Sequence, residues 1–486
     1  MNIKMLVYIL GKVLLIEGAL MLLPVICGLM YGEQAFVCYA VPALIYVLLG
    51  FFISFKKPKN MTVFIKDGCV ATALSWILLS VCGCIPFILA KEIPSFTDAM
   101  FETASGFTTT GASILSDVEA LSHASLLWRS LTHWIGGMGV LVFILAVVPM
   151  SGGSNMNLMK AESPGPTVGK IVPKVRATAK TLYYIYIALT LLEIIVLFAC
   201  GMPLFDSICS GFATAGTGGF GFKNDSFASF APHLQWIVAV FMLLFGVNFN
   251  FYYYITIRQP SKALKMSEPQ VYLAIAGTAT AIICFSIYGI YGNLGDSLRH
   301  SLFQVATAMT TTGFASADFD LWPTLAKYIL VLCMFIGACA GSTGGGIKVS
   351  RFQIMFKAIR REIESYVHPK TVKRIHIDGK TIDTDVERSV ALYFIIFLVV
   401  FVSSMFIISF EGYDLVTVFT SVTATLNNIG PGLSRVGPTC NYGFFSGLSK
   451  WVLIFDMIAG RLELIPIIVF LNPFTYKGMI KKSPKA

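Results

Sequence analysis

The sequence predicts an all-α integral membrane protein with ten transmembrane helices. Three observations lead to this fold class: the composition, the lengths of the apolar segments and the positions of the basic residues. Of the 486 residues, 56% are hydrophobic and only 13% are charged, with a mean hydropathy of +0.75. Soluble domains carry about 25% charged residues. This composition therefore excludes most soluble enzymes, secreted disulfide scaffolds and nucleic-acid-binding proteins.

Ten apolar segments are long enough to cross a bilayer, which requires about 20 mostly apolar residues. Seven of these ten segments contain no charged residue at all. The predicted spans are 5–31, 36–55, 68–90, 130–159, 181–202, 226–257, 269–295, 328–347, 389–410 and 448–470. The eleven cysteines form no CxxC pair, and we interpret them as small buried residues rather than metal ligands.

Lysine and arginine cluster in the connections that follow the even-numbered spans. Cytoplasmic loops carry an excess of these residues, so the sequence predicts that both termini are cytoplasmic. This topology explains the net charge of +10 without a nucleic-acid partner. The most basic connection follows the eighth span, and its residues 351–388 are a candidate docking surface with a hairpin turn predicted at Asp378 and Gly379. The alternative is a solvated loop that only sets the topology.

The connections after the third, fifth, seventh and ninth spans resemble one another. Each contains a short apolar stretch followed by a Gly/Thr-rich run, which is the pattern expected of a re-entrant half-helix and loop. Asp98 precedes Gly111 by thirteen residues, and Asp206 precedes Gly219 by the same number. Such internal repetition predicts four pseudo-fourfold helix–pore loop–helix repeats after an N-terminal helix pair.

The predicted organisation divides the chain into six parts. They are a two-helix extension at 1–66, pore repeats at 67–160, 161–260, 261–365 and 389–486, and a cytoplasmic hairpin linker at 366–388. The second helix of the third repeat is predicted to be broken.

Four repeats around one axis would each present a short loop at the centre. Glycine permits the left-handed backbone that turns carbonyl groups inward, and rings of carbonyl oxygens can replace the hydration shell of K⁺. The half-helices would point their partly negative C-terminal ends at the axis, which favours a cation. A single such motif would be an ordinary tight turn, so the inference depends on the four copies. The predicted K⁺-binding residues are Thr109, Thr110, Gly111, Thr217, Gly218, Gly219, Thr311, Thr312, Gly313, Asn428, Ile429 and Gly430.

These motifs resemble the Trk/Ktr/HKT superfamily of potassium transporters, and within it the TrkH branch. The resemblance extends over essentially the whole chain and includes the N-terminal helix pair and the segments 127–139, 340–348 and 427–432. All four filter glycines of the family are present. The fourth loop, Asn428-Ile429-Gly430, departs from Thr-x-Gly in the way that is typical of the branch.

The resemblance implies a homodimeric, multi-pass potassium uptake protein of the bacterial inner membrane. It also implies a cytosolic nucleotide-binding regulatory subunit of the TrkA type. We identify no nucleotide-binding domain in this sequence, so we expect nucleotide to act only through that separate subunit. No covalent cofactor is expected, and K⁺ is the expected transported ion.

Gate candidates lie beyond the predicted filter. Residues 341–346 contain four glycines in the middle of the eighth span, a density that breaks a helix. Arg461 lies 31 residues after Gly430, and the same count from Gly219 and Gly313 leads to Asn250 and Gly344. A charge inside a span costs about 2.5–3.5 kcal/mol or more unless it faces water or a partner.

The resemblance favours a gate in which the glycine-rich loop closes the cavity under the filter and Arg461 repels cations. The predicted gate residues are Gly341, Gly344, Gly345, Gly346, Lys348, Arg461 and Asn250. A phosphate-binding P-loop is rejected because Val349 stands where Ser or Thr is required. A passive kink that helps packing remains an alternative, and Asn250 could equally join two helices.

Two other functions predict sequence features that this chain lacks. A symporter driven by sodium or protons predicts an ionisable group near the filter, and the four loops contain none. A membrane-embedded enzyme predicts paired aspartates or a metal cluster, and neither motif occurs. Arg129 and His133 are expected to brace the first loop rather than touch ions. Asp456 and Glu463 are either salt-bridge partners of Arg461 or helix-end charges.

Overall fold

A computed structural model describes residues 1–60, 62–139, 175–369 and 373–477. Its helices are Ile3–Leu20, Leu22–Tyr31, Ala35–Ser54, Ile65–Leu89, Phe96–Phe107, His123–Met138, Val175–Ala199, Leu204–Gly216, Pro232–Phe245, Phe249–Thr256, Pro260–Leu264, Ser267–Tyr291, Leu294–Met309, Thr324–Phe335, Val349–Val367, Thr384–Ser409, Leu415–Leu426, Gly447–Arg461 and Ile465–Leu471. Two short antiparallel strands, His376–Ile377 and Lys380–Thr381, form a hairpin. Most of the fourth predicted span and the boundary at residue 160 lie outside the described residues.

The N-terminal helices form a tightly packed pair. Small residues lie where the two backbones approach each other: a Cβ atom added to Gly50 would lie 2.7 Å from the carbonyl oxygen of Gly11, and one added to Gly18 would lie 2.8 Å from that of Ala43. Glycine is favoured at such crossings in membranes because association there depends on close packing. This pair then packs against Ile65–Leu89, the first helix of the first repeat.

Within the described residues, six helices are long and apolar enough to cross a membrane. They are Ile3–Tyr31, Ala35–Ser54, Ile65–Leu89, Ala179–Ala199, Ser267–Tyr291 and Thr384–Ser409. They correspond to the first, second, third, fifth, seventh and ninth predicted spans. Many of their apolar side chains point away from the protein, such as Phe285, which is 88% exposed. This is the surface expected of helices solvated by lipid.

The later even-numbered spans are interrupted helices. The sixth bends by 89° between Pro232–Phe245 and Phe249–Thr256. The eighth is helical over Thr324–Phe335 and again from Val349, and the tenth breaks between Gly447–Arg461 and Ile465–Leu471. The sequence predicted only the break in the eighth span. The other two breaks were missed because no run of glycines marks them in the sequence.

Four shorter helices lie between the long ones and the interrupted ones. We call them the loop helices: Phe96–Phe107, Leu204–Gly216, Leu294–Met309 and Leu415–Leu426. They have 12, 13, 16 and 12 residues, which is too short to cross a bilayer. Their C-terminal halves are largely buried, and each leads directly into one of the four predicted glycine loops.

Candidate functional site

All four loop helices end with the same backbone turn. The residue after each helix, or one further on, has a left-handed backbone, with φ of 56° at Thr109, 53° at Thr217, 58° at Thr311 and 57° at Asn428. The N–H of the next residue donates to a carbonyl five positions earlier. These bonds are Thr110 to Ser105 (2.9 Å), Gly218 to Ala213 (2.9 Å), Thr312 to Thr307 (2.9 Å) and Ile429 to Ala424 (2.7 Å). This is the Schellman motif, repeated at equivalent positions in the four repeats.

Three of these left-handed positions carry threonine. Glycine or asparagine is the usual residue in this conformation, and a β-branched residue with positive φ is a genuine outlier. Such strain costs about 1–3 kcal/mol per residue and persists only where the surroundings determine the conformation. The side chains of Thr109, Thr217 and Thr311 are completely buried, so tertiary packing fixes the strained turns.

The four loops form a closed ring. Each third-position glycine has positive φ, and a Cβ atom added to it would collide with the carbonyl of the middle residue in the next loop. The contacts run from Gly111 to Gly218, from Gly219 to Thr312, from Gly313 to Ile429 and from Gly430 back to Thr110. The loops therefore surround one axis, in chain order, and no side chain fits at the glycine positions.

The fourth loop joins the first through its amide side chain. The Asn428 Nδ2 donates to the Thr110 hydroxyl at 2.9 Å and to the Met457 carbonyl at 2.8 Å. In the first and third loops the middle threonine also bonds the hydroxyl of the residue that caps its loop helix, at 2.8 Å between Thr108 and Thr110 and at 2.7 Å between Thr310 and Thr312. The departure from Thr-x-Gly thus supplies the contact that closes the ring between the last repeat and the first.

A buried ion pair braces the first and second loops. The Arg129 Nη2 lies 2.7 Å from Glu102 Oε1, and both side chains are at most 2% exposed. Arg129 also donates to the Gly221 carbonyl at 2.9 Å. The Glu102 carboxylate accepts the Ile114 N–H at 3.0 Å. Glu102 was not among the residues predicted from the sequence, although an ionisable residue in an apolar membrane segment is itself a signal of function.

His133 bridges the first two repeats as a neutral imidazole. Its Nδ1 lies 2.7 Å from the Gly106 carbonyl, which can only accept, and its Nε2 accepts the Phe220 N–H at 3.1 Å. These partners assign the proton to Nδ1. Arg129 and His133 both contact the backbone of the loops.

Residues 341–346, which we call the glycine-rich segment, pack directly against the third and fourth glycine loops. The Gly345 N–H donates to the Thr311 hydroxyl at 2.6 Å. A Cβ atom on Gly345 would lie 2.7 Å from the Asn427 carbonyl oxygen, and one on Gly344 would lie 3.0 Å from that of Thr310. Gly346 has φ of 66°. Glycine is therefore required here for close backbone approach.

Two basic side chains, Lys348 and Arg461, donate hydrogen bonds to the backbone at the centre of this segment. Lys348 is buried, and its Nζ donates to the carbonyls of Gly344 and Gly345, the latter at 3.0 Å. Arg461 donates to the Thr343 carbonyl at 2.8 Å and to the Gly136 carbonyl at 2.6 Å. The arginine thus connects the glycine-rich segment to the end of the helix His123–Met138.

Of the two asparagines at the bend of the sixth span, Asn248 lies beside the glycine-rich segment and Asn250 lies at the start of the following helix. Asn250 lies in the first turn of the helix Phe249–Thr256, where its N–H bonds the Asn248 Oδ1 at 2.9 Å. Asn248 is the residue next to Gly341: a Cβ atom there would lie 3.5 Å from its Oδ1. The Gly341 carbonyl in turn accepts the Phe249 N–H at 3.0 Å.

The acidic neighbours of Arg461 bond other residues. Asp456 accepts the Ser404 hydroxyl at 2.7 Å, and Glu463 forms an ion pair with Arg351. Neither contact was predicted from the sequence: Arg351 was named only as the first residue of the candidate docking surface, and Glu268, a buried carboxylate at the start of the helix Ser267–Tyr291, was not named at all. Both residues stand at the ends of predicted spans, where a charge is ordinary and gives no separate signal.

Comparison with known proteins identifies the family. The model of the TrkH family, described as cation transport protein, matches residues 43–277 and 290–479. The chain belongs to the TrkH family. The TrkH protein "Trk system potassium uptake protein TrkH" of Salmonella typhimurium is 34% identical over 484 residues, covering 97% of this chain and 99% of that protein. "Trk system potassium uptake protein TrkG" of Escherichia coli is 33% identical, with 98% and 99% covered.

A solved structure has the same fold. The crystal structure of the potassium transporter TrkH from Vibrio parahaemolyticus matches with a TM-score of 0.88 and 30% identity, covering 98% of this chain and 100% of that one. The family resemblance and the all-α membrane fold predicted from the sequence are confirmed. The TrkH family consists of transport proteins, so the prediction of a transporter rather than an enzyme is also confirmed.

Proposed function

We propose that this chain is the potassium-selective, ion-translocating subunit of a K⁺ uptake system in the bacterial inner membrane. The observation that carries the proposal is the closed ring in which each loop glycine faces a carbonyl of the next loop. The printed names of the relatives, potassium uptake proteins, support K⁺ as the transported ion. We further propose a homodimer with cytoplasmic termini, controlled by a cytosolic nucleotide-binding subunit of the TrkA type.

In this proposal the twelve loop residues from Thr109 to Gly430 form the selectivity filter. Stacked carbonyl oxygens replace the water that K⁺ loses on entry. The C-terminal ends of the loop helices add a partly negative potential at the same place. The strained threonines and the Schellman bonds support the proposal because they hold the carbonyl groups in one geometry without needing a bound ion.

The glycine-rich segment and Arg461 form the gate in this proposal. The segment packs against the third and fourth loops, on the side that the proposed topology makes cytoplasmic, and Arg461 and Lys348 bring two positive charges close to it. A cation leaving the filter would meet both charges. Opening requires the segment to leave the position in which Thr311, Lys348 and Arg461 hold it.

The test is cation flux into proteoliposomes that contain the purified full chain, comparing K⁺ with Na⁺. Gly111→Ser should abolish K⁺ preference, because a Cβ atom there collides with the Gly218 carbonyl. Gly277→Ser is the matched control, since nothing lies within 4 Å of the added atom.

The same assay tests the gate, because Arg461→Ala should raise basal K⁺ flux. If the wild type passes Na⁺ as readily as K⁺, the proposal that K⁺ is the selected ion is wrong. If a folded Arg461→Ala variant has unchanged flux, the proposed gate is wrong.

A further inference from the structure

One buried carboxylate joins both ends of the glycine-rich segment. The Glu268 Oε1 accepts the N–H of Ala340 at 2.7 Å and that of Ser350 at 3.1 Å. Ala340 directly precedes the first glycine, and Ser350 lies in the first turn of the helix Val349–Val367. The Lys348 side chain does not cap that helix, so Glu268 supplies the acceptor and the negative charge that a helix N-terminus favours.

The same carboxylate reaches the broken sixth span. The Glu268 Oε2 accepts the Asn248 Nδ2 at 3.3 Å, and Asn248 lies at the 89° bend beside Gly341. Glu268 is 8% exposed. A buried carboxylate is tolerated only when its oxygens accept hydrogen bonds, and three N–H groups from three parts of the chain serve this purpose here. If Glu268 moves, the segment loses its anchors at both ends.

The residue before Glu268 is held by the cytoplasmic hairpin. The Asp378 Oδ1 accepts the Ser267 N–H at 2.9 Å, at the start of a helix whose own N-cap residue, Met266, makes no side-chain bond. Asp378 and Gly379 both have positive φ, as a two-residue hairpin turn requires. Asp378 is exposed, so a cytosolic partner can reach it.

The hairpin also touches the helix on the other side of the gate. The Lys357 Nζ donates to the His376 carbonyl at 2.7 Å, and the Gln353 Nε2 donates to the Ser267 carbonyl at 3.2 Å. The hairpin therefore contacts both helices that Glu268 joins. Only one peptide unit separates the Ser267 N–H held by Asp378 from the residue that anchors the glycine-rich segment.

We infer that Glu268 holds the gate closed by anchoring both ends of the glycine-rich segment, and we call this carboxylate the latch. The hairpin, through Asp378 and Ser267, is the element by which the cytoplasmic surface controls the latch. This inference rests on the proposed function, since it assigns the regulation of that same gate. Displacing the hairpin removes the cap at Ser267, shifts Glu268 and releases Ala340 and Ser350. The glycine-rich segment then leaves the third and fourth loops.

The experiment measures basal K⁺ flux of the purified full chain in proteoliposomes for Glu268→Ala, Glu268→Gln, Asp378→Ala and their wild type. Glu268→Ala should raise flux roughly tenfold or more, because the closed state loses all three hydrogen bonds that the carboxylate accepts. Glu268→Gln, which keeps an acceptor, should raise it less. Asp378→Ala should raise flux several-fold, and the double variant Glu268→Ala/Asp378→Ala should not exceed Glu268→Ala, because both changes act on one latch.

Lys262→Ala is the control, an exposed charged residue in the short helix Pro260–Leu264, which precedes Ser267 in the chain. Its flux should equal that of the wild type. Hydrogen–deuterium exchange gives a second readout that a merely structural role would not produce: residues 336–350 should exchange faster in Asp378→Ala, with the four glycine loops unchanged. Asp378 is at the surface, so this variant tests the latch even if Glu268→Ala does not fold.

Two failures are distinguishable. If Arg461→Ala raises flux but Glu268→Gln and Asp378→Ala leave both flux and exchange at wild-type values, the latch is overturned and the gate stands. If none of the variants raises flux although the wild type conducts, the gate itself is wrong, and the inference falls with it.

Discussion

The four glycine loops and the glycine-rich segment are both buried, non-helical and rich in glycine, yet they are held in opposite ways. Each glycine loop is fixed by main-chain bonds to its own loop helix. The centre of the glycine-rich segment is fixed by side chains. Arg461 donates to the Thr343 carbonyl, Lys348 donates to two carbonyls of the segment, and the Thr311 hydroxyl accepts the Gly345 N–H. Main-chain turns inside a packed ring are rigid, whereas a few side-chain contacts can be released together.

The comparison predicts that the rigid region depends on its brace. Arg129→Ala should lower the free energy of unfolding by about 3–5 kcal/mol, because Glu102 would remain as a buried, unpaired charge. Thermal unfolding of the detergent-solubilised protein measures this. Arg360→Ala, which breaks a surface pair with an arginine that is 83% exposed, should cost no more than about 1 kcal/mol. Equal effects for the two variants would contradict the role of the brace.

The same substitution should have opposite effects in the two regions. Gly219→Ala forces an atom against the Thr312 carbonyl within the ring, and we expect K⁺ flux to fall by more than about tenfold. Gly345→Ala places an atom 2.7 Å from the Asn427 carbonyl, which pushes the segment away and should raise basal flux. Proteoliposome flux measures both, and a decrease in both variants would show that the segment does not move.

A smaller effect separates two equivalent threonines. Thr311→Val removes the hydroxyl that accepts the Gly345 N–H, and leaving that group without a partner costs about 1–3 kcal/mol. Basal flux should therefore rise several-fold. Thr109→Val is the matched control, because the Thr109 hydroxyl has no hydrogen-bond partner among the described residues. The same change in flux for both variants would assign the effect to the loops rather than to the contact with the segment.

The repeated Thr/Gly motifs allowed the loops to be located without the structure. The motifs, their spacing and their place after a short apolar stretch aligned the four triplets, and in the structure each triplet begins with a residue of positive φ. Spacing also aligned Asn250 with Arg461, which stays a prediction. The structure adds that Asn248, two residues earlier, lies beside Gly341, where the sixth span bends by 89°. Spacing along the chain does not reveal this contact, because the contact depends on the bend.

Local composition and repetition along the chain were enough to predict the membrane fold class, the positions of the four loops and the break at the glycine-rich segment. Three-dimensional packing was needed to show which carbonyl each loop glycine faces, that Glu102 pairs with Arg129, and that Glu268 anchors the segment. These contacts join residues far apart in the chain. A charge at the end of a span looks the same in a sequence whether it faces water or fixes a buried segment, and only packing distinguishes the two.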